Sequence, residues 1–99
     1  MKASTILEQA KKVIREPKYW TKGAYHHYCN DINTYCMVGA LMKVARFGPA
    51  SIVDTPAYNY LKRACRRDIE SYNDRPKRTH TQVLAKFDKA ITLAKAKGD

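Results

Sequence analysis

The sequence predicts an all-α fold, a small orthogonal bundle of about four helices with one irregular aromatic region, and three observations point there. Apolar residues recur at helical spacing in several separate segments. Two segments open on capping-box patterns, and Pro and Gly fall where helices must stop. A chain of 99 residues with 44% hydrophobic content is long enough for one modest core without disulfides or metal, so a single helical domain over residues 1–99 is expected.

The first helix opens at Thr5-Ile6-Leu7-Glu8, a T-x-x-E capping box, and carries Ile6, Leu7, Ala10, Val13 and Ile14 on one stripe before Pro17 stops it. Residues 18–32 scatter Tyr19, Trp20, Tyr25 and Tyr28 among Gly23, His26, His27, Asn30 and Asp31. Such a mixture suits an ordered loop or a short irregular hairpin better than a helix. A second helix is expected from about Asn33 to Arg46, capped by Asn33 or Thr34 and ended by Gly48-Pro49.

Asp54-Thr55-Pro56 starts the third helix, with Pro at its first position and Ala57, Leu61, Ala64, Cys65, Ile69 and Tyr72 as its stripe. At about 100° per residue, Lys62, Arg63, Arg66 and Arg67 fall on the opposite arc. Asp68 lands on or beside the apolar stripe, where a carboxylate needs a partner such as an Arg or a Tyr hydroxyl. The fourth helix opens with the capping box Thr79-His80-Thr81-Gln82, continues through Val83, Leu84, Phe87, Ala90, Ile91 and Ala94, and closes at Gly98.

Nineteen Lys and Arg stand against nine Asp and Glu, a formal charge of +10. That excess favours a polyanionic partner, chiefly nucleic acid or a ribonucleoprotein. The longest uncharged apolar run, Cys36 to Met42, is too short for a signal segment or a membrane span, so a cytoplasmic protein with no membrane contact is expected. Three cysteines are an odd number, which favours free thiols. Neither a P-loop nor a dinucleotide fingerprint occurs, and no cofactor is expected.

Three stretches resemble a family defined only as a domain of unknown function in small bacterial and phage proteins. They are Trp20-Thr21-Lys22-Gly23-Ala24, Tyr35-Cys36-Met37-Val38-Gly39-Ala40-Leu41, and Asn73-Asp74-Arg75-Pro76-Lys77-Arg78-Thr79 continuing into Gln82-Val83-Leu84. The resemblance implies a compact helical fold, a bacterial or phage source and, for a phage protein, work in the host cytoplasm. It brings no activity. This chain departs from the family in its shorter segment between Ala24 and Cys36 and in its greater positive charge.

Candidate functional residues fall into three sets. Lys62, Arg63, Arg66 and Arg67, with Arg75, Lys77 and Arg78 in the following turn, are the candidate nucleic-acid contacts; the competing reading is a solvated helix face and a polar turn. No RNP signature or zinc finger is present, so backbone contact is expected ahead of base reading. The alternative function is a protein-interaction module, such as a phage inhibitor of a host enzyme or defence complex, docking through Tyr19, Trp20, Tyr25 and Tyr28.

A cysteine-dependent enzyme is the second alternative, with Cys36 near a helix start as nucleophile and His26 or His27 as base. Against it, Cys36, Gly39 and Ala40 also read as small residues at a close helix contact. The ligand types His26, His27, Cys29 and Cys36, with Cys65 or His80, do not have the spacing of a structural zinc site, so no metal is expected.

Overall fold

The computed structural model describes all residues, Met1 to Asp99. Six α-helices and one antiparallel hairpin make up the fold, in the order α1 (Ala3–Val13), β1 (His26–Cys29), β2 (Ile32–Tyr35), α2 (Met37–Ala45), α3 (Pro49–Ile52), α4 (Pro56–Cys65), α5 (Ile69–Asp74) and α6 (His80–Ala96). A single 3-10 turn, Pro17–Tyr19, follows α1. The all-α expectation is therefore corrected to a mixed α/β fold in which helix predominates.

The correction is concentrated in residues 26–36. Asn30 and Asp31 adopt φ of 52° and 62°, the left-handed pair that a two-residue type I′ hairpin turn requires and that Asn and Asp tolerate. The strands pair in register from His26↔Tyr35 to Cys29↔Ile32. The segment entering from the N-terminal side adds one bridge between Trp20 and Tyr35, where Thr21 N–H donates to the Tyr35 carbonyl at 3.1 Å. All four residues of β1 are exposed, so no apolar alternation marks this strand in the sequence. Because residues 32–35 belong to β2, helix α2 starts four residues later than expected, capped by Cys36 in place of Asn33 or Thr34.

The expected third helix is two helices. Arg66 ends α4 in the left-handed region, φ 60° and ψ 22°, and Asp68 caps α5 by accepting from the Ser71 N–H at 3.0 Å and its hydroxyl at 3.1 Å. Asp68 is exposed, which corrects its expected burial beside the stripe: as an N-cap its charge stays in water while it satisfies a free helical donor. The apolar stripe survives the break, because Leu61, Ala64, Cys65, Ile69 and Tyr72 are all buried.

Of the two expected capping boxes, one forms. Thr79 accepts from Gln82 N–H at 3.2 Å and Gln82 Oε1 accepts from Thr79 N–H at 3.1 Å. Helix α1 instead begins at Ala3, with Lys2 as a cap that makes no side-chain bond. Ser4, buried, is held by the Asp99 carbonyl through its N–H at 3.0 Å and its hydroxyl at 3.1 Å. That long-range tie brings the helix start upstream of the local Thr5 signal.

Helix α6 is the central strut, packed on both α1 and α4, while α1 also packs on α2. Leu7, Ile14, Met37, Val38, Leu41, Ile52, Leu61, Ile69, Val83 and Phe87 are fully buried between them. Two longitudinal ends follow from this arrangement. At one, Asp99 meets Ser4, and its carboxylate accepts from the Tyr60 hydroxyl at 2.6 Å. At the other, the His80 ring nitrogen at the start of α6 donates to the Ile14 carbonyl at the end of α1, 2.6 Å away. No helix is long and apolar enough to cross a membrane.

Candidate nucleic-acid interface

The His80 end of the molecule gathers cations from segments that are far apart in sequence. Residues 15–22 bring Arg15, Lys18 and Lys22; the turn between α5 and α6 brings Arg75, Lys77 and Arg78. The two segments are fastened together directly, because Lys22 Nζ donates to the carbonyls of Arg75 and Pro76 at 2.7 and 3.2 Å. The Trp20 and His80 rings meet with centroids 6.0 Å apart. Arg15 and Lys18 lie 4.9 and 5.2 Å from the centre of the Tyr19 ring, within cation–π range.

Arg78 carries the patch round to α4. Its guanidinium lies 3.5 Å from the Tyr72 ring centre and donates to the Tyr72 carbonyl and Gln82 Oε1. Lys86 Nζ stands 5.7 Å from the same ring. Arg67, Arg78 and Lys86 also act together on the buried Cys65 thiol. Burial pushes that thiol up to about 11, against the downward pull of these three cations.

The cations at this end form no ion pairs within the molecule. The molecule forms two ion pairs, Lys11–Asp88 at 2.6 Å and Lys95–Glu8 at 3.2 Å, and neither involves the cations just named. The acids at this end are Glu16, exposed, Asp68, the cap of α5, Glu70, which accepts from the Tyr25 hydroxyl, and Asp74, which accepts from Gly23 N–H and Asn73 Nδ2 at 2.9 Å each; none of them forms an ion pair with these cations.

The seven sequence-predicted contacts are thus divided. Arg67, Arg75, Lys77 and Arg78 join the basic end, and Arg66 adjoins them at the end of α4, exposed. Arg63 lies toward the opposite end, 6.0 Å from the ring of Tyr60, whose hydroxyl is bound to Asp99. Lys62, one residue earlier, is exposed on the same helix. Arg15, Lys18, Lys22 and Lys86 were missed, since nothing local in the sequence says that residues 15–22 lie beside residues 75–78.

A fully buried amide holds the basic end in register. Asn73 Oδ1 accepts from Trp20 Nε1 at 2.7 Å and from Met37 N–H at 3.1 Å, while Nδ2 donates to the Thr21 carbonyl at 3.0 Å and to Asp74 Oδ1 at 2.9 Å. All four hydrogen-bonding positions of one side chain are used. The three stretches quoted from the sequence meet at this clasp. Gly39 makes the close approach possible, because a Cβ there would stand 1.8 Å from the Tyr25 carbonyl oxygen.

Beside the clasp lies a cleft of about 230 Å³ lined by Gly23, Ala24, Tyr25, Cys36, Glu70 and Asp74. Burial first, and then the Glu70 carboxylate 3.3 Å away, raise the Tyr25 phenol. Burial also raises the Cys36 thiol, outweighing the N–H groups of Gly39 and Val38 that lower it. Cys36 Sγ accepts from Gly39 N–H at 3.3 Å as the cap of α2. His26 is stacked on Tyr35 at 4.8 Å and bound to Asn33, and no hydrogen bond joins His26 or His27 to Cys36. The thiol is thus a neutral cap with no base on it, unlike an activated nucleophile. No three His, Cys, Asp or Glu side chains gather as a metal-binding group, and all three cysteines are free.

The four aromatic candidates for partner docking divide as well. Trp20 is half-buried with its N–H spent on Asn73, Tyr25 is tied to Glu70, and Tyr19 is half-buried beside Arg15 and Lys18. Tyr28, 59% exposed on β1, is the one presented freely. Its hydroxyl donates to Asp31 at 2.8 Å.

No curated protein and no solved structure matches the chain. A family profile covers residues 1–93, and the protein belongs to that family, described as a family of unknown function (DUF6197).

Proposed function

We propose that the protein is a non-enzymatic accessory factor that binds a polyanion, nucleic acid above all, through its basic end. The supporting observation is the convergence of Arg15, Lys18 and Lys22 with Arg75, Lys77 and Arg78 on one end with no ion pair among them. Each phosphate neutralised by such a side chain releases condensed counterions, so affinity comes from the number of contacts and falls with salt. Cations spread along two fastened segments suit a chain of repeated phosphates better than a single small anion, which needs converging donors in one pocket. Contact with the backbone is the mode this arrangement favours, because cations spread along two segments meet repeated phosphates whatever the base sequence. A cytoplasmic setting fits the three unpaired thiols.

Fluorescence anisotropy with labelled single-stranded and duplex DNA and RNA, from low to near-physiological salt, tests the reading. Sub-micromolar binding with a steep salt slope is expected. Absence of binding near physiological salt would reduce the +10 charge to a matter of solubility.

A further inference from the structure

Neither packing nor hydrogen bonding in the fold accounts for the Tyr19 side chain. It stands at the end of the 3-10 turn Pro17–Tyr19 and is half-buried, yet it is not among the residues packed against the core, whereas its neighbour Trp20 is. The other aromatic side chains of the basic end have their polar tips held, the Trp20 N–H by Asn73 and the Tyr72 hydroxyl by the Gln82 carbonyl. The Tyr19 hydroxyl makes no bond within the molecule and reaches solvent. What surrounds its ring is cationic, with Arg15 and Lys18 at 4.9 and 5.2 Å from the centre. Lys22 stands 5.5 Å from the Trp20 ring. Cations thus flank this pair of rings on the segment that Lys22 fastens to the carbonyls of Arg75 and Pro76.

We propose that the basic end takes single-stranded nucleic acid, with an unpaired base stacked on Tyr19 and Arg15 while the flanking phosphates meet Lys18, Lys22 and the turn from Arg75 to Arg78. The proposal rests on the reading of that end as a nucleic-acid interface and narrows it. In a single strand every base is joined to a phosphate, so a ring and a cation side by side engage both halves of one nucleotide. A base lying on the ring also extends over the Arg15 guanidinium, itself a stacking plane. A duplex gains much less. Its base faces are closed inside the stack, and opening a step takes an apolar wedge inserted between the base pairs. Tyr19 and Trp20 are half-buried and form a platform, which loose bases reach and stacked ones do not. Every base has a π-face, so such recognition tolerates any sequence, as contact with the backbone does.

Anisotropy titrations of the whole protein compare four labelled ligands with strands of about 12 nucleotides. They are oligo(dT), oligo(U), a mixed-sequence duplex, and an abasic strand that keeps every phosphate but has no bases. The first two distinguish DNA from RNA, and the tighter of them sets the comparison. It should bind about tenfold or more tightly than the abasic strand, and more tightly than the duplex despite the duplex's higher charge. Tyr19→Ala should bring its affinity down to near that of the abasic strand, while Tyr19→Phe, which keeps the ring, should retain the preference. Because Tyr19 is not packed on the core, the fold should survive, which circular dichroism checks. The abasic comparison needs no variant and decides the matter even where one misfolds.

An abasic strand or a duplex bound as tightly as the base-bearing strand would overturn the proposal while leaving the basic end a phosphate-binding surface. So would a folded Tyr19→Ala protein that keeps the full preference. No binding of any of the four ligands at low salt would remove the nucleic-acid reading itself, and this proposal with it.

Discussion

Two residues, Asn73 and Gly39, hold the site together. The Asn73 amide satisfies two N–H donors and one carbonyl of other segments in a buried setting, and removing one partner of a buried hydrogen bond costs about 1–3 kcal/mol per orphaned group. Asn73→Ala should therefore lose about 3–5 kcal/mol in urea unfolding, with Trp20 fluorescence reporting its released indole. A loss below about 1 kcal/mol would mean that water replaces the amide. Gly39→Ala must drive a methyl group against the Tyr25 backbone, not a side chain that can swing away, so about 3 kcal/mol or more is expected.

Cys65 links stability to pH. Its thiol is raised to about 11 in the fold from 9.0, so above pH 9 the unfolded chain loses this proton first. The contribution is complete below pH 9, falls as pH rises and is lost by about pH 11. Two units correspond to about 2–3 kcal/mol at most. Melting temperatures of Cys65→Ala should accordingly decline less steeply over that window than those of the parent.

At the scale of elements, local signals succeeded where nothing long-range competed with them. The box at Thr79 forms as its sequence indicates, whereas that at Thr5 does not, because Ser4 is drawn to the Asp99 carbonyl ninety-five residues away in the chain. Thr79→Ala should cost about 1 kcal/mol and Thr5→Ala much less, by chemical denaturation of each. Equal losses would show that the Thr5 box forms in solution. The stripe from Ala57 to Tyr72 was legible as a buried face, yet its break was not, because Arg66 in the left-handed region carries no Gly signal. The hairpin was expected only as an alternative to a loop within residues 18–32, and its second strand was read as the start of α2. Its turn is Asn-Asp and not Asn-Gly, and β1 buries nothing, so neither turn chemistry nor alternation stood out.

Across the whole molecule, the sequence disclosed the charge but not its distribution. Arg75, Lys77 and Arg78 were legible as a site because they are consecutive or nearly so. Their partners Arg15, Lys18 and Lys22 lie more than fifty residues away, and only the Asn73 clasp and the Lys22 bonds place them alongside. Lys62 and Arg63, legible as part of one basic arc with Arg66 and Arg67, lie further along α4 from that end, Arg63 near Asp99. The result is a molecule whose cations gather most densely at the His80 end, about 16 Å, the length of α1, from the Asp99 end.

The most direct test of the central claim compares two charge reversals in one titration series. Arg75→Glu/Lys77→Glu and Lys62→Glu/Arg63→Glu change net charge equally, and all four side chains are exposed, so folding should survive in both. Binding to labelled single-stranded and duplex nucleic acid is measured across salt concentrations. The first variant should lose most of its affinity, and on duplex its log–log salt slope should shrink by about two, while the second stays close to the parent. Equal losses in both variants would mean that the charge acts as a diffuse field and that the basic end is not a binding site.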